Sequence, residues 1–422
     1  MTDKSREKEA KEALIQTQKV PKLVPKLIVM RLGGSSIGSP QAIELTAKRI
    51  KEKVAKGGRI VALVSAIPRE REESLNFIRT INPQTPGRFL NSLIFACDFK
   101  SVPSLAAALE KIGVPTFLYN GSSVNIKLQN GVKGRPHYEV VVDYRVVGII
   151  KKVLEKGQVF VCSGFKVIEG EDKIDNAILR DSNASAVVLA GWLKADFCEI
   201  NTSRDGIYFV DPLIVPNAKR IDFLNYAQMR CFSHLGARIL SRRCVDLAAD
   251  LGVIVRVQLS PALGKSSGGT IIGPVKLENS GEEIEAGIAI QPKVVLLKFF
   301  LPAKLDVKQF FRALANFCLI DSGLNHESES YLIVVEEDCE NIIKRINNFK
   351  KVKIKEERGF ASLSLIDLRM MDASGYIDRI LQALDKMIVR LNSAGDSITV
   401  IVKGEDMAKA ASKLAKTFNL VE

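Results

Sequence analysis

Short runs of consecutive apolar residues alternate with helix-like patterns over the first 260 residues of the chain. The apolar runs lie at residues 27–30, 59–66, 115–119, 158–162 and 197–201, and helical spacing occurs at residues 40–56, 90–112, 144–155 and 184–194. Strands that are apolar on both faces and are separated by helices indicate a mostly parallel sheet covered on each side. The pattern therefore predicts an α/β domain.

The pattern changes after about residue 260. Residues 260–273 are rich in Gly, Ser and Pro, and residues 278–285 are acidic, which is typical of a linker. Two units of similar length follow, with predicted strands at 294–300, 331–335, 361–368 and 397–402 and predicted helices at 307–317, 339–349, 375–384 and 405–418. This arrangement indicates an internal repeat of about sixty residues with βαββαβ order.

The composition fits a folded protein with several domains. The chain has 422 residues, 46% of them hydrophobic and 26% charged. The formal net charge of +13 would ordinarily favour nucleic acid or an anionic membrane as a partner. However, residues 1–60 carry +8 of that charge, and no arginine-rich stripe interleaved with aromatic residues occurs. We therefore expect neither a nucleic-acid partner nor a membrane partner.

The location of the protein is indicated by what the sequence lacks. The longest apolar run is far below the roughly 18–20 residues of a membrane span, and the charged N-terminal segment has no apolar region typical of a secretory signal. The seven cysteines are scattered without a CxxC pattern, as expected for reduced core residues. The three histidines, at 137, 234 and 326, form no recognisable catalytic or metal-binding set. These observations predict a cytoplasmic protein and no resident metal site.

The first candidate for chemistry is the glycine-rich turn at residues 33–38, GGSSIG, between a predicted strand and a predicted helix. Glycine allows backbone N–H groups to approach a phosphate closely, and a helix N-terminus adds a partial positive charge. Arg31, just before the turn, could offer a fixed positive charge to a phosphate. The turn matches neither the Walker A pattern nor GxGxxG, so an ordinary tight connection remains an alternative.

Several motifs in the same order resemble those of the aspartokinases, a group within the amino acid kinase superfamily. Residues 31–36 (RLGGSS) stand where these proteins have KFGGTS. Residues 198–212 (CEINTSRDGIYFVDP) are similar to the pattern EIxTDVDGVYTADPR. The other matching segments are 64–66 (VSA), 163–165 (SGF), 214–216 (IVP), 235–240 (LGARIL), 269–272 (GTII) and 287–289 (GIA). The resemblance covers roughly residues 27–422.

The resemblance implies a three-layer αβα amino-acid-kinase domain with a mostly parallel sheet, followed by a tandem ACT domain of ferredoxin-like βαββαβ units. The expected divisions are a polar basic tail (1–26), the kinase-like domain (27–273), a linker (274–290) and two ACT-like repeats (291–357 and 358–422). It also implies a homodimer assembled through the ACT domains. A lysine or threonine effector is implied as well, although an ACT pair that serves only as a dimer interface is an equal alternative.

Aspartokinases transfer the γ-phosphoryl group of ATP to the β-carboxylate of L-aspartate, which is the entry step to lysine, threonine and methionine. ATP and Mg²⁺ are therefore the implied cofactors. Both reactants are anions, so the protein must supply cations and backbone N–H groups rather than a nucleophile. This chemistry guides the choice of candidate residues.

The resemblance assigns each candidate residue a role. Arg31, Asp181 and Asn183 are the catalytic candidates. The nucleotide or phosphate candidates are Gly33, Gly34, Ser35, Thr202, Ser203, Asp205, Gly206, Tyr208, Asp211 and Arg238. Ser36, Asp98 and Ser182 are expected near the amino-acid substrate, and Asp372 and Gly375 near an effector. For Asp205-Gly206 and Asp211-Pro212 an ordinary turn is the alternative interpretation.

Some positions differ from the family pattern where the chemistry should occur. Arg31 stands in place of lysine, Asp98 in place of glutamate, and Asn183 and Ser203 in place of aspartate. Arginine is not equivalent to lysine at a phosphate site, and an amide cannot replace a carboxylate as a charge. The sequence therefore leaves three hypotheses open: a working aspartokinase, a non-catalytic regulatory subunit that binds amino acid or nucleotide, and a kinase of another small carboxylate.

Overall fold

The computed structural model describes most of the chain. The described residues are 27–119, 127–129, 137–139, 144–164, 181–237, 239–274, 287–300, 307–314, 317, 319–323, 329–349, 352–367 and 373–422. The predicted N-terminal tail and the site candidates Arg238 and Asp372 lie outside these residues.

Helices and strands alternate through the first part of the chain, as the apolar pattern predicts. The helices are α1 (Gly34–Ile37), α2 (Pro40–Ala55), α3 (Pro68–Ile81), α4 (Gly87–Lys111), α5 (Tyr144–Glu155), α6 (Ser182–Leu193), α7 (Tyr226–Leu235), α8 (Arg242–Asp250), α9 (Val307–Leu314), α10 (Glu336–Ile346), α11 (Ala373–Leu384) and α12 (Met407–Thr417). The strands are β1 (Leu27–Leu32), β2 (Arg59–Val64), β3 (Thr116–Tyr119), β4 (Lys127–Gln129), β5 (His137–Glu139), β6 (Val159–Ser163), β7 (Phe197–Thr202), β8 (Ile207–Tyr208), β9 (Arg220–Ile221), β10 (Phe223–Asn225), β11 (Val255–Leu259), β12 (Thr270–Gly273), β13 (Gly287–Phe299), β14 (Leu319–Gly323), β15 (Ser330–Val335), β16 (Ile354–Ile366), β17 (Ile388–Ala394) and β18 (Ser397–Lys403). Among the described residues, no helix combines the length and apolar character that crossing a membrane requires.

An eight-stranded sheet forms the centre of the first part, in the order β10-β12-β11-β7-β1-β2-β6-β3. Every pair is parallel except β11 with β12. Alternate residues of β1 point to opposite faces: Val29 packs in the cluster with α5 to α8, and Met30 in the cluster with α2 and α4. Both side chains are fully buried, and such burial contributes about 1.5–3 kcal/mol per side chain. The predicted three-layer αβα architecture is confirmed.

A buried polar network ties the middle strands together. Glu199 of β7 is fully buried and accepts a hydrogen bond from Lys53 Nζ at 2.9 Å. Gln258 of β11 donates to both Glu199 and Asn201 at 3.1 Å. Asn201 in turn donates to the backbone carbonyl of Arg31 at 3.1 Å. Because an unpaired buried charge is costly, this network fixes the backbone of Arg31 relative to β7 and β11.

The second part is built on a six-stranded antiparallel sheet in the order β14-β15-β13-β16-β18-β17. The first repeat has the predicted βαββαβ order, and its four strands are residues 294–299 of β13, β14, β15 and residues 354–357 of β16.

The second repeat closes differently from the expectation. Residues 287–291, at the start of β13, pair with residues 362–366 of β16 and take the place of the closing strand. Residues 287–290 were expected in the linker, but they belong to this strand. The residues after α12 instead pair with the first domain, where Ala218 bridges to Val421. As a result, β13 and β16 each serve both repeats. We call residues 287–422 the regulatory unit, after the ACT-like repeats that the resemblance implies for this part of the chain.

Two glycines set the contact between α7 and strand β13. Gly236, just after α7, has φ +132°, and a Cβ atom there would lie 2.7 Å from the carbonyl oxygen of Ile290. A Cβ atom on Gly287 would lie 2.2 Å from the ring of Phe232. Both positions need glycine because the backbone of β13 lies against the end of α7.

We predict that Gly236→Ala lowers the free energy of unfolding by roughly 2 kcal/mol or more, because left-handed strain is added to a backbone clash. Urea unfolding measures this change. Gly252→Ala is the matched control, since Gly252 has φ +65° but a Cβ atom there would meet no described atom within 4 Å, and we expect about 1 kcal/mol for it. Equal losses in the two variants would contradict the close contact with Ile290.

Candidate functional site

Arg31 connects the end of the central strand to the start of helix α6. Its Nε and Nη2 atoms donate to Ser182 Oγ at 3.0 and 2.9 Å. Ser65, which follows β2, donates to the same oxygen at 2.9 Å. Ser182 is the first residue of α6, so a guanidinium lies beside a helix N-terminus. The guanidinium therefore supplies a positive charge at the carboxyl edge of the sheet, where ligands of α/β domains bind, beside a helix N-terminus that Asp181 caps.

The glycine-rich turn is shaped around Arg31. A Cβ atom on Gly33 would lie 2.2 Å from Arg31 Nη1, so the guanidinium rests directly against this glycine. A Cβ atom on Gly34 would lie 2.3 Å from Pro68, at the start of α3. The carbonyl of Gly33 accepts hydrogen bonds from the N–H groups of Ser36 and Ile37, which forms the short helix α1. Packing thus accounts for glycine at both positions, whether or not their backbone contacts a ligand.

Burial lowers the pKa of Arg31, while Asp181, Cys244 and Asp98 raise it. A guanidinium keeps its charge at physiological pH even so. The site therefore contains a permanent cation that is largely withdrawn from water.

Ser36 lies away from the edge where Arg31 and Ser182 meet. Its side chain is fully buried, its Oγ lies 2.8 Å from Ser260 Oγ, and its carbonyl accepts a hydrogen bond from Thr46 at 2.7 Å. These bonds attach the glycine-rich turn to α2 and to the segment after β11. The expected substrate contact does not fit this placement, and the serine holds the turn in position.

Asp98 of α4 packs against the end of β2. Its Oδ1 atom accepts a hydrogen bond from the N–H of Ala66 at 2.6 Å. Burial raises the pKa of Asp98 to about 6, although the hydrogen bond from Ala66 and the charges of Arg71 and Arg31 act in the opposite direction. This carboxylate is therefore part of the surroundings of Arg31 and titrates close to neutral pH.

Asp181 caps helix α6. Its Oδ1 atom accepts hydrogen bonds from the N–H groups of Asn183 and Ala184, both at 3.0 Å, and its Oδ2 atom accepts one from the Ser241 hydroxyl. N-capping by aspartate contributes about 1 kcal/mol to a helix. Asp181 thus holds the start of α6 and Ser241, and its Oδ2 atom keeps a lone pair for a further contact.

Asn183 has a buried acceptor that is unpaired among the described residues. Its Nδ2 atom donates to the carbonyl of Ile239 at 3.3 Å, whereas its Oδ1 atom is buried without a hydrogen-bond partner among the described residues. The residue lines a pocket. A buried acceptor without a partner lowers the stability of a folded protein. A ligand that donates a hydrogen bond to Asn183 Oδ1 would therefore be bound more tightly.

A pocket of about 630 Å³ lies beside these residues. It brings together seven of the residues expected at the site, namely Arg31, Ser35, Asn183, Thr202, Ser203, Tyr208 and Asp211. The remaining lining residues are mainly apolar and come from the segment after β7, from α7 and the segment after it, and from β13; they are Arg204, Ile207, Val210, Pro212, Ile214, Phe232, Gly236, Ala237, Ile239, Ile288, Ala289, Ile290 and Pro292. The pocket therefore has a polar end near Arg31 and an apolar end against the regulatory unit.

The loop after β7 is held by short-range hydrogen bonds. Thr202 Oγ1 accepts a hydrogen bond from the N–H of Arg204 at 3.0 Å, and Arg204 Nη1 pairs with Asp211 Oδ1 at 2.7 Å. Asp211 also accepts a hydrogen bond from the N–H of Leu213 at 2.9 Å. Asp211 thus lines the pocket and stabilises a turn as well.

Asp205 and Gly206 form a structural turn outside the pocket lining. Asp205 accepts hydrogen bonds from Leu259, Ser266 and Ser267. Desolvation raises the pKa of Asp205, but these hydrogen bonds outweigh it and lower the pKa to about 2. Gly206 has φ +111° and lies against Thr270. The turn interpretation describes this pair better than the expected contact with a nucleotide.

The other candidates receive less support. Arg238 and Asp372 lie outside the described residues. Gly375 lies exposed in the first turn of α11, and no described atom lies within 4 Å of where its Cβ would be.

Sequence reasoning missed Arg204, Ser65 and residues 288–292 as parts of the site. Ser65 is the polar residue near the end of the apolar run at 59–66, and that position is the signal that could have indicated it. Residues 288–292 enter the pocket through a contact distant in sequence, for which no local pattern gives a signal.

The comparisons with known proteins agree with this geometry. Residues 26–258 match the amino acid kinase family, and the chain belongs to that family. Within the family it is similar to aspartokinases along nearly its whole length. It is 29% identical to the aspartokinase of Mycolicibacterium smegmatis over 423 residues, covering 93% of this chain and 96% of that one. It is 27% identical to the aspartokinase of Bacillus sp. (strain MGA3) over 413 residues, covering 93% and 97%.

Solved structures show the same fold. Escherichia coli aspartokinase III, in complex with aspartate and ADP, superposes with a TM-score of 0.72 at 18% identity and covers 93% of this chain and 100% of that one. Clostridium acetobutylicum aspartate kinase superposes with a TM-score of 0.65 at 16% identity and equal coverage. Since these proteins contain both parts of the molecule, the comparison extends to the regulatory unit.

The raised pKa of Asp98 predicts a pH dependence of stability. Between the ordinary pKa of 3.8 and the folded value of about 6, the folded protein binds a proton at Asp98 that the unfolded chain releases. The contribution of Asp98 to stability therefore falls as the pH rises through this interval. Asp98→Asn removes the effect, so the variant should gain stability relative to the parent protein between pH 4.5 and pH 7. Urea unfolding at both pH values measures it, and the same difference at both would contradict the prediction.

Proposed function

We propose that this protein transfers the γ-phosphoryl group of ATP to the β-carboxylate of L-aspartate and forms 4-phospho-L-aspartate, in the pathway to lysine, threonine and methionine. The observation that carries the proposal is the pocket in which Arg31, the N-terminus of α6 and the segment of Thr202 to Asp211 come together. The similarity to aspartokinases along 93% of the chain supports the choice of substrate.

The two ends of the pocket suit the two ends of a nucleotide. The polar end, with Arg31, Ser35 and Thr202, would face the phosphates, and the apolar end would face the base. Tyr208 and Asp211 lie along the wall between kinase domain and regulatory unit. A volume of about 630 Å³ lies within the range of small-molecule sites.

The amino-acid substrate would lie near Ser182, Ser65 and Asp98. The open Oδ1 atom of Asn183 could accept a hydrogen bond from a donor such as an ammonium group. Arg31 would bring the phosphate and the attacking carboxylate together by neutralising their charges. Removing one such preorganised donor typically lowers the rate by about 100- to 1,000-fold.

Kinases of this kind act on ATP with Mg²⁺, and the carboxylates described near the pocket each hold a neighbouring group of the protein. Asp181 caps α6, Asp211 pairs with Arg204, and Asp98 accepts a hydrogen bond from Ala66. Among the described residues no group of three metal-binding side chains occurs. The steps above therefore use only the groups of the protein itself.

The regulatory unit would bind a lysine or threonine effector and join two copies of the chain. An Escherichia coli aspartokinase III structure in complex with lysine and aspartate supports the choice of effector. Asp372 and Gly375 stay the proposed contacts in this chain.

A non-catalytic regulatory subunit is the alternative, and one observation favours it. Asn183 is neutral, and Asp181, the neighbouring carboxylate, already caps α6 and accepts a hydrogen bond from Ser241. The site therefore has less negative charge than the family pattern.

The proposal predicts turnover. With ATP, Mg²⁺ and L-aspartate, the purified protein should yield aspartyl hydroxamate when hydroxylamine traps the acyl phosphate. Thermal stabilisation by ATP together with no hydroxamate would contradict the kinase and support the regulatory subunit.

Arg31 is the residue whose loss should matter most. Arg31→Met removes the buried cation, so we expect kcat/KM to fall about 100-fold. Arg31→Lys keeps the charge but not the paired contact with Ser182, and we expect an intermediate loss. Arg49→Met, on the exposed surface of α2, is the matched control and should keep full activity. Equal activity of Arg31→Met and the control would remove Arg31 from the mechanism.

A further inference from the structure

The hairpin that carries Tyr208 is very short. Ile207 pairs with Ile221 and Tyr208 with Arg220, and the N–H of Phe209 donates to the carbonyl of Lys219 at 3.0 Å. An isolated two-stranded hairpin is marginally stable at best in water. The position of Tyr208 therefore depends on what covers this hairpin.

Residues 419–422, which we call the clasp, cover the outer edge of the hairpin. The N–H of Lys219 donates to the carbonyl of Leu420 at 3.0 Å, and the N–H of Glu422 donates to the carbonyl of Asn217 at 3.0 Å. Ala218 and Val421 face each other as an antiparallel bridge between these two bonds. Lys219 Nζ also donates to the carbonyl of Asn419 at 3.2 Å. The clasp thus acts as an added strand.

Strand β13 holds the opposite edge of the hairpin from the clasp. The N–H of Ile288 donates to the carbonyl of Phe209 at 2.5 Å. Ile288 and Ile290 also line the pocket itself. The pocket wall is therefore continuous from the hairpin into the sheet of the regulatory unit.

The apolar side chains of the loop after Tyr208 pack into the regulatory unit. Val210, Val215 and Ala218 are buried in the same cluster as Phe418 and Leu420. Asp211 lies between the first two of these residues in sequence. The loop that lines the pocket is thus held in place by a hydrophobic core that belongs mostly to the regulatory unit.

We propose that the clasp positions Tyr208 and Asp211, so that the affinity of the pocket for a nucleotide depends on residues 419–422. The inference rests on the proposed function for the identity of the ligand. A ligand that binds only the ordered loop has an apparent dissociation constant equal to the intrinsic constant divided by the ordered fraction. Loss of the clasp lowers that fraction and weakens binding without removing any atom that touches the ligand.

The test compares the full chain with a deletion of residues 420–422 and with two substitutions. Glu422→Pro removes the N–H that donates to the carbonyl of Asn217 and stiffens the backbone at Val421, whereas Glu422→Ala removes the side chain alone and is the matched control. We expect the dissociation constant for ADP, measured by calorimetry, to rise roughly tenfold in the deletion and about threefold in Glu422→Pro, with no change in Glu422→Ala.

Hydrogen–deuterium exchange of the free protein gives a readout that needs no ligand. Peptides from residues 207–221 should exchange faster in the deletion and in Glu422→Pro, while peptides from β1 and β2 keep their protection. Unchanged exchange in this hairpin would overturn the inference, whether or not ADP binds. If the full chain does not bind ADP, the proposed function fails, and the exchange comparison still decides whether the clasp orders the hairpin. If the deletion variant does not fold, the exchange rates of Glu422→Pro and Glu422→Ala decide whether the clasp orders the hairpin.

Discussion

The burial of one guanidinium constrains the whole site. Arg31 lies at the end of the central strand, where desolvation of a charge is costly unless it is matched by acceptors. Ser182 supplies that acceptor, which fixes the start of α6 against β1. Gly33 has no side chain because the guanidinium occupies that space. The cap by Asp181 and the network through Asn201 then hold the two elements that Arg31 connects. Helix, turn and strand are thus parts of one arrangement around a single charge.

Much of the fold could be predicted because local sequence patterns indicate most of its strands. Runs such as residues 27–30 and 59–66 are short, continuous and apolar, and with helical patterns between them they favour buried parallel strands. The pairing of residues 287–291 with residues 362–366 could not be predicted. Each segment by itself indicates a strand or a linker, and the register between them is set by tertiary contacts. The helix expected at 307–317 ends at Leu314.

The candidate site could be predicted only in part. There is a physical reason why some of its residues could be predicted and others could not. Motifs specify residue types at the end of a strand, so Arg31, Asn183 and Tyr208 were expected near one another and line one pocket. Motifs do not specify the direction of each side chain. Ser36 and Asp205 lie within matched motifs, but their oxygens form hydrogen bonds that hold neighbouring segments. The wall from β13 could not be expected, because it depends on the unpredicted pairing.

The sharing of β13 between the two repeats also affects how the molecule is made. Ile288 is synthesised well before Leu365, its neighbour in the sheet. During synthesis, the closing strand of the second repeat thus precedes the repeat it closes. Its apolar residues stay unpaired until β16, their partner strand, has been made. Contacts of this kind are formed late, since a long loop must close first. Neither repeat can be removed or exchanged by cutting the chain between them, because each repeat would lose part of a strand that the other repeat carries. The two repeats can therefore fold or be transplanted only as a pair.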